Sequence, residues 1–258
     1  MRLYGAMLTH NDCYLRGRTI RPRGVMVHST GSNNPYLRRY IAPDDGRLGT
    51  PSPRHWNQGG VGACVHAMIG KLADGSVAVY QTLPWTMRGW HCGRIGNDTH
   101  ISFEICEDGL TDEGYFRATY QAAVELTAYL CQFYHLDPQA DGVVLCHSEG
   151  YARGIASNHA DVMHWWRKFG VDMDDFRADV AAEMRGGDDM TEAQVRQIVR
   201  EEIAAYHIRL AELPPSDWAR DQLSAAVAAG ITDGKRPQSH ATRQEVAIMV
   251  RKALEGRG

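Results

Sequence analysis

Four short apolar runs, separated by loops, constrain the fold of this chain more than any other feature. Each has the length of a strand, and they are GVMVH (24–28), VAVYQTL (77–83), ISFEIC (101–106) and VVLCH (143–147). Between the last two lies the segment 118–136, whose apolar side chains recur at helical spacing. Strands that alternate with helices predict an α/β domain over residues 1–185, with a mixed central β-sheet flanked by helices.

The chain has 258 residues, which is more than one typical domain needs. After Arg185 the sequence GGDD reads as a linker, and residues 186–213 are predicted to hold an amphipathic, oligomerising helix within 191–213. Its apolar positions are spaced close to a heptad repeat: Val195, Val199, Ile203, Tyr206, Leu210 and Leu213. Residues 214–258 are predicted to form a small all-α module.

Charge and hydropathy exclude several classes of partner. The formal net charge is −3 and neither part of the chain has a basic excess, so we expect no nucleic acid partner. No stretch approaches the roughly 18 apolar residues of a membrane span, and the N-terminal residues lack the apolar core of a signal peptide. The six cysteines form no C-x-x-C pair and are predicted to be buried free thiols, as suits a reducing cytoplasm.

Histidine is unusually concentrated, because nine of the twelve histidines fall between residues 28 and 164. Two apolar runs end in histidine, at His28 and His147, and Asp161 follows fourteen residues after the second. Two imidazoles and one carboxylate would form a three-ligand zinc site with a fourth position open, which is typical of catalytic zinc. From spacing alone, histidines satisfied within the core remain the alternative.

The order of the motifs resembles a known family. HSTG, an Asp-Gly turn with VYQTLPW, WHCG, N-D-x-x-I-S-F-E, CH and NHAD follow one another over roughly residues 20–168. This order is similar to the zinc amidases of the N-acetylmuramoyl-L-alanine amidase type 2 family, whose fold is shared by phage endolysins and peptidoglycan recognition proteins. The resemblance implies Zn²⁺ held by His28, His147 and Asp161, with Glu104 as the catalytic carboxylate.

The chain departs from the family pattern at the third ligand. His159 stands where a lysine is common, and no proline follows Asp161. An imidazole N–H could stabilise the oxyanion as the lysine would, so His159 is predicted to be catalytic. Glu107, three residues after Glu104, is the rival carboxylate; it is predicted to face the other side of the strand and to be solvated.

Four more residues are assigned to the substrate groove by the resemblance or by their position. Trp90 and His91 of WHCG are predicted to contact glycan or peptide, and His66 to lie on the groove floor. Asn158 is predicted to support the ligand loop as an outer partner. His164, beside two tryptophans, is predicted to be a packing residue.

The C-terminal segment, over about 214–255, resembles one S-layer homology repeat, a unit that binds cell-wall polysaccharide. The residues predicted to bind the wall are Trp218, Asp233, Gly234 and Arg243. A simple two-helix packing module is the alternative. Because wall anchors usually pack three repeats, we expect the helix at 191–213 to bring several modules together, and an internal start at Met190 to supply free copies.

These features together predict a peptidoglycan hydrolase that cleaves the amide between N-acetylmuramic acid and L-alanine. Without a signal peptide, an endolysin is expected to wait in the host cytoplasm until a holin opens the membrane. Two alternatives stay open: a catalytically silent peptidoglycan-binding protein, and a zinc peptidase that cuts within the stem peptide.

Overall fold

The computed structural model describes residues 1–186, 206–208 and 210–255. The chain divides into two compact units, Met1–Gly187 and Asp188–Gly258. The predicted oligomerising helix at 191–213 lies largely outside the described residues, and so does Met190.

The first unit is built on a six-stranded sheet. Its strands are β1 (Leu3–Gly5), β2 (Gly24–Asn33), β3 (Ala67–Lys71), β4 (Val77–Gln81), β5 (His100–Glu107) and β6 (Val144–Cys146). They are ordered β1-β4-β3-β5-β2-β6. The β3–β4 pair is antiparallel and the other pairs are parallel, so the sheet is mixed. The predicted fold class is confirmed.

Five α-helices surround this sheet. They are α1 (Asp12–Arg16), α2 (Glu113–Tyr134), α3 (His147–Ala152), α4 (Met163–Trp166) and α5 (Met173–Gly186). The helix predicted at 118–136 is α2, and it begins five residues earlier because Asp112 caps it by accepting a hydrogen bond from the Tyr115 amide at 3.0 Å. It ends at His135, which adopts the left-handed conformation with φ 55°.

Alternation along the strands divides the sheet into two faces. One side of β2 and β5, with Val27 and Phe103, packs against α2 and α5 in the main hydrophobic core. The alternate residues of the strands, such as Met68 of β3, face the other side of the sheet. The segment around Leu37–Leu48 covers part of that side. His28 and Glu104 lie on this second face.

Strand boundaries differ from the predicted runs by a few residues, and two of these differences concern the site histidines. β2 continues to Asn33, so His28 lies inside the strand rather than at its end, and β6 stops at Cys146, so His147 is the first residue of α3. All six cysteines are buried and free, as predicted.

In the second unit, the described residues 206–208 and 210–212 are helical, and two further helices are α6 (Arg220–Ala228) and α7 (Arg243–Glu255). The predicted turn at 232–234 is part of a longer connection, 229–242, in which Gly234 has φ +70°. A Cβ on Gly234 would lie 2.7 Å from Val227 Cγ2, so only glycine fits there without strain. Of the described residues in this unit, none is buried. In the described part of the whole chain, no helix combines the length and apolarity that crossing a bilayer requires.

Candidate active site

Sheet register places His28 beside Glu104. The two residues are direct partners in the parallel β2–β5 pair, so their side chains project from the same face. Val27 and Phe103, the residues before them, are fully buried in the core beneath. The two side chains therefore rise from the rigid centre of the sheet.

His147 and Asp161 reach the same place from the segment that follows β6. His147 opens α3, and its backbone N–H donates to the Asp161 carbonyl at 3.1 Å. Two residues of α4, Trp165 and Trp166, are fully buried and hold the chain after Asp161 against the core. The segment from His147 to Asp161 is thus held against the core at both ends.

Three donor atoms converge where these elements meet. His28 Nδ1 lies 3.0 Å from His147 Nδ1 and 3.0 Å from Asp161 Oδ2, and His147 Nδ1 lies 3.4 Å from the same oxygen. Burial lowers the pKa of His28, despite the opposing effect of Asp161. Burial alone would raise the pKa of Asp161, but hydrogen bonds to His147 and His28 hold it well below its usual range.

This donor set fits a zinc ion. Zinc takes neutral imidazole nitrogen and carboxylate oxygen, and the pKa directions of His28 and Asp161 favour those forms at neutral pH. Two ring nitrogens and a carboxylate oxygen that all lie within 4.8 Å of one another match the donors of a single ion. The outer nitrogen of His28, Nε2, is 2.9 Å from His91 Nδ1, a hydrogen bond of the kind that orients metal-binding imidazoles.

His147 and Asp161 line a cleft of about 690 Å³, and His28 is buried behind them. Glu104 also lines it, and its Oε2 is buried without a hydrogen-bond partner among the described residues. Burial, followed by the charges of Asp161 and Glu107, raises the pKa of Glu104 well above its usual range. A carboxylate held in this way beside a metal site is suited to exchange protons with a reacting group.

Comparison with known proteins identifies the family. A family model described as N-acetylmuramoyl-L-alanine amidase matches residues 18–164, more than half of the chain. This chain belongs to that family. The predicted enzyme class, an N-acetylmuramoyl-L-alanine amidase, is thereby confirmed.

One solved structure supports the fold of the amidase, and a second is reported beside it for comparison. The Staphylococcus aureus hydrolase AmiA, in complex with its ligand, is 18% identical with a TM-score of 0.51, over 71% of this chain and 83% of that one. The PlyG catalytic domain is 16% identical with a TM-score of 0.49, over 71% of this chain and 96% of that one. A comparison with curated proteins gave no match.

A serine in the amidase links two of the predicted site histidines. Ser157 Oγ lies 3.2 Å from His147 Nε2 and 3.1 Å from His159 Nδ1. His159 is exposed and lines the cleft, with its ring centroid 4.6 Å from that of His147. Sequence reasoning assigned the outer-partner role to Asn158, but Asn158 is exposed and does not line the cleft; Ser157, one residue earlier, contacts His147 instead.

The aromatic part of the cleft comes from the WHCG segment. Trp90 and His91 both line the cleft, and Trp90 exchanges backbone hydrogen bonds with Cys64 at 2.9 and 3.0 Å. The Arg16 guanidinium carbon lies 5.7 Å from the centre of the Trp90 ring. Burial, followed by the neighbouring His28, lowers the pKa of His91 well below its usual range.

His66 was predicted on the groove floor, and this is wrong. It is fully buried, with Nε2 2.7 Å from the Met87 carbonyl oxygen and Nδ1 accepting a hydrogen bond from the Ser102 amide at 3.0 Å. Burial lowers its pKa to about 4. A neutral imidazole with both nitrogens paired is a structural residue that joins the β4–WHCG loop to β5.

Glu107 and His164 also differ from expectation. Glu107 is on the opposite side of β5 from Glu104 by strand alternation, as predicted, but it is only 4% exposed rather than solvated, and His164 of α4 lies 3.0 Å from its carboxylate. His164 is not a packing residue: its side chain is 32% exposed, lines the cleft and reaches Glu107. No local pattern in the sequence indicated this pair.

Proposed function

We propose that this amidase cleaves the bond between N-acetylmuramic acid and the L-alanine of peptidoglycan, using Zn²⁺ held by His28, His147 and Asp161. The observation that carries the proposal is the convergence of these three donor atoms beside a buried carboxylate in an open cleft. When bound, zinc would supply Lewis acidity, which lowers the pKa of water and polarises a carbonyl group.

The residues of the chain would carry the proton and the developing charge. Glu104, the neighbour of His28 in the sheet, takes the proton from the attacking water and delivers it to the leaving amine nitrogen. The raised pKa of Glu104 supports the second half of this role, since a carboxyl group that keeps its proton can act as an acid. His159, whose Nδ1 is held by Ser157, donates from Nε2 to the oxyanion.

Mass spectrometry of digested cell walls tests this proposal. Release of stem peptides with a free N-terminal L-alanine is the expected result. New termini within the stem peptide would identify a zinc peptidase instead, and binding without any release would identify a silent peptidoglycan-binding protein. Chelated protein, with and without added zinc, provides the matched control for the metal.

We also propose that the second unit binds the cell wall. Trp218 is 85% exposed, and a cavity of about 570 Å³ in this unit is lined by Asp233, Gly234 and Glu245. Arg243, at the start of α7, is exposed as well. Exposed aromatic and charged side chains, on a module whose described residues are all at least partly exposed, are consistent with a surface that a polymer covers.

Cosedimentation of the full chain with isolated cell walls tests the wall-binding role. Trp218→Ala is expected to reduce the bound fraction while the rate on soluble muropeptides stays unchanged. Phe133→Ala is the control, since Phe133 is an exposed aromatic residue of the first unit. Equal loss in both variants, or loss in neither, would contradict a specific role for the C-terminal module.

The biological setting we propose is that of an endolysin. Produced inside a bacterium, the protein is expected to lyse the cell only after the membrane is permeabilised. Light scattering of the purified chain tests whether 191–213 makes it an oligomer, and a Met190→Leu variant tests whether a shorter C-terminal product accompanies it.

A further inference from the structure

An arginine of α5 reaches the junction between β6 and α3, where His147 stands. Arg177 Nη1 donates to the Val144 carbonyl oxygen at 2.9 Å and to Glu149 Oε2 at 3.0 Å, and Nη2 donates to Glu149 Oε1 at 3.1 Å. Val144 belongs to β6 and Glu149 to α3, so the guanidinium joins residues on both sides of His147. One side chain therefore spans the point from which this histidine projects.

Glu149 passes this contact on to the backbone that carries His147. Its Oε2 accepts a hydrogen bond from the Cys146 amide at 3.3 Å, which is the reach-back contact of a capping box at the start of α3. The His147 amide, one residue further on, donates to the Asp161 carbonyl oxygen at 3.1 Å. These two contacts fix the backbone from which the imidazole projects towards His28.

The contact between Arg177 and Glu149 is built into the first unit. Their side chains are only 18% and 31% exposed. Phe176, the residue before Arg177, is fully buried in the main core, so α5 provides a fixed base. A planar guanidinium that binds both oxygens of one carboxylate is stronger and more directional than a single-point contact, and lysine cannot reproduce it. Asp174, which is 89% exposed, accepts a further bond from Arg177 Nη2 at 2.7 Å.

A second arginine–carboxylate pair lies at the other end of α3. Arg153 follows the last residue of that helix, and its two terminal nitrogens bind the two oxygens of Asp141. Among the described residues, the Arg153 side chain has no hydrogen bond to the β6–α3 junction. The two pairs therefore have the same chemistry, but only the pair of Arg177 contacts the backbone around His147.

We propose that Arg177, acting through Glu149, is a positioning residue of the zinc site, because it holds the backbone of His147 in the orientation that metal binding needs. This proposal rests on the proposed function, in which His147 is a zinc ligand. The family model matches residues 18–164, so α5 lies outside the matched segment. The metal site of this protein thus depends on a helix beyond that segment.

Zinc affinity, measured by competition with a chromogenic chelator, tests the role of Arg177. Arg177→Lys keeps the charge but cannot bind both oxygens of Glu149 and the Val144 carbonyl together, so we expect zinc binding to weaken about tenfold. Arg153→Lys is the matched control, and its zinc affinity should stay within about twofold of the wild type. Calorimetry of the chelated variants identifies a temperature at which all are folded, so that a merely structural role would leave the zinc affinity unchanged.

The partners of Arg177 show whether the effect passes through Glu149. Glu149→Gln leaves a single oxygen for the guanidinium and should also weaken zinc binding. In the Arg177→Lys/Glu149→Gln double variant the loss should equal the larger single loss, since both changes act through one contact. Asp174→Asn, which removes the exposed partner of the same guanidinium, should leave zinc affinity unchanged.

The outcomes are distinct. Zinc affinity within about twofold of the wild type in Arg177→Lys, an equal loss in Arg153→Lys, or additive losses in the double variant would each overturn the assignment. If the wild type binds zinc but releases no N-terminal L-alanine, the proposed cleavage fails, whereas the comparison of zinc affinities still decides the role of Arg177. A wild type that binds no zinc would overturn the metal site and this role together.

Discussion

Replacing Glu104 by glutamine is expected to remove the proton carrier while leaving the metal ligands in place. The side chain keeps its shape but can no longer take a proton from water. A positioned general base contributes about 10²–10⁴ in rate, so kcat should fall by that factor, or about 3–5 kcal/mol in the barrier. Bound zinc should stay at the wild-type level.

The same substitution is expected to stabilise the zinc-free protein at neutral pH. Burial, with the charges of Asp161 and Glu107, raises the pKa of Glu104 in the folded state. The folded protein therefore binds this proton more tightly than the unfolded chain, whose glutamates have a pKa of about 4.3. Above that pH, stability falls as pH rises until the folded group itself titrates, and glutamine abolishes this loss.

The size of the effect follows from the unpartnered oxygen. Glu104 Oε2 has no hydrogen-bond partner among the described residues, and an unsatisfied buried group costs about 1–3 kcal/mol, more when it is charged. If glutamine relieves about 1 kcal/mol of that cost, the Tm of a unit this size rises by about 2–4 °C. The gain should be present at pH 7.5 and vanish near pH 4.

Calorimetry of chelated protein at both pH values, with muropeptide kinetics on the zinc-loaded form, provides the assay. Glu107→Gln is the matched control, because Glu107 is also buried but accepts bonds from His164 and Gly31 at 3.0 and 3.1 Å. Glutamine keeps an oxygen that can accept both bonds but lacks the charge, and a bond to a charged group is worth about 1 kcal/mol more than a neutral one, so its Tm should fall by about 2–4 °C. Wild-type kcat in Glu104→Gln, or a Tm lowered as much as in Glu107→Gln, would refute this reasoning.

Four further predictions concern the same unit. Ser157→Ala, which removes the contacts to His147 and His159, should weaken zinc binding by about 10–100-fold in chelator competition, and unchanged affinity would contradict an outer-partner role. His159→Ala should lower kcat by about 10²–10³ with zinc retained, and His159→Lys should recover most of it; a kcat near wild type in His159→Ala would remove His159 from the mechanism. Zinc at about 1,000 times its Kd should stabilise by about 4 kcal/mol, so that chelation lowers Tm by about 8–16 °C, whereas an unchanged Tm argues against a metal site. All six cysteines should resist alkylation in the folded protein and react in denaturant, and two fast-reacting thiols in the folded state would contradict their burial.

The elements that sequence patterns predicted are those with long or strongly apolar runs. The helix at 118–136 and the four apolar runs correspond to α2, β2, β4, β5 and β6. β1 has three residues and β3 contains Gly70, so neither shows a pattern of its own. Gly70 is required by packing, since a Cβ there would lie 2.8 Å from both Cys106 Sγ and the Pro35 carbonyl oxygen. Such a contact, like the order of the strands, is set by the tertiary structure.

Some residues of the site could be predicted from motifs, whereas other contacts of the site form only in the folded chain. His28, Glu104 and Asp161 stand in ordered motifs, so the sequence alone could predict that they lie together, as they do in the structure. Alternation along β5 gave the correct face for Glu107, but it could not show what covers that face, and a solvated carboxylate was the wrong conclusion. The cover is α4: its buried tryptophans hold the chain after Asp161, and the same helix carries His164 to Glu107. One short helix therefore positions both the carboxylate to which we assign the metal and the histidine that meets Glu107, which explains why residues 57 apart in sequence act as a pair.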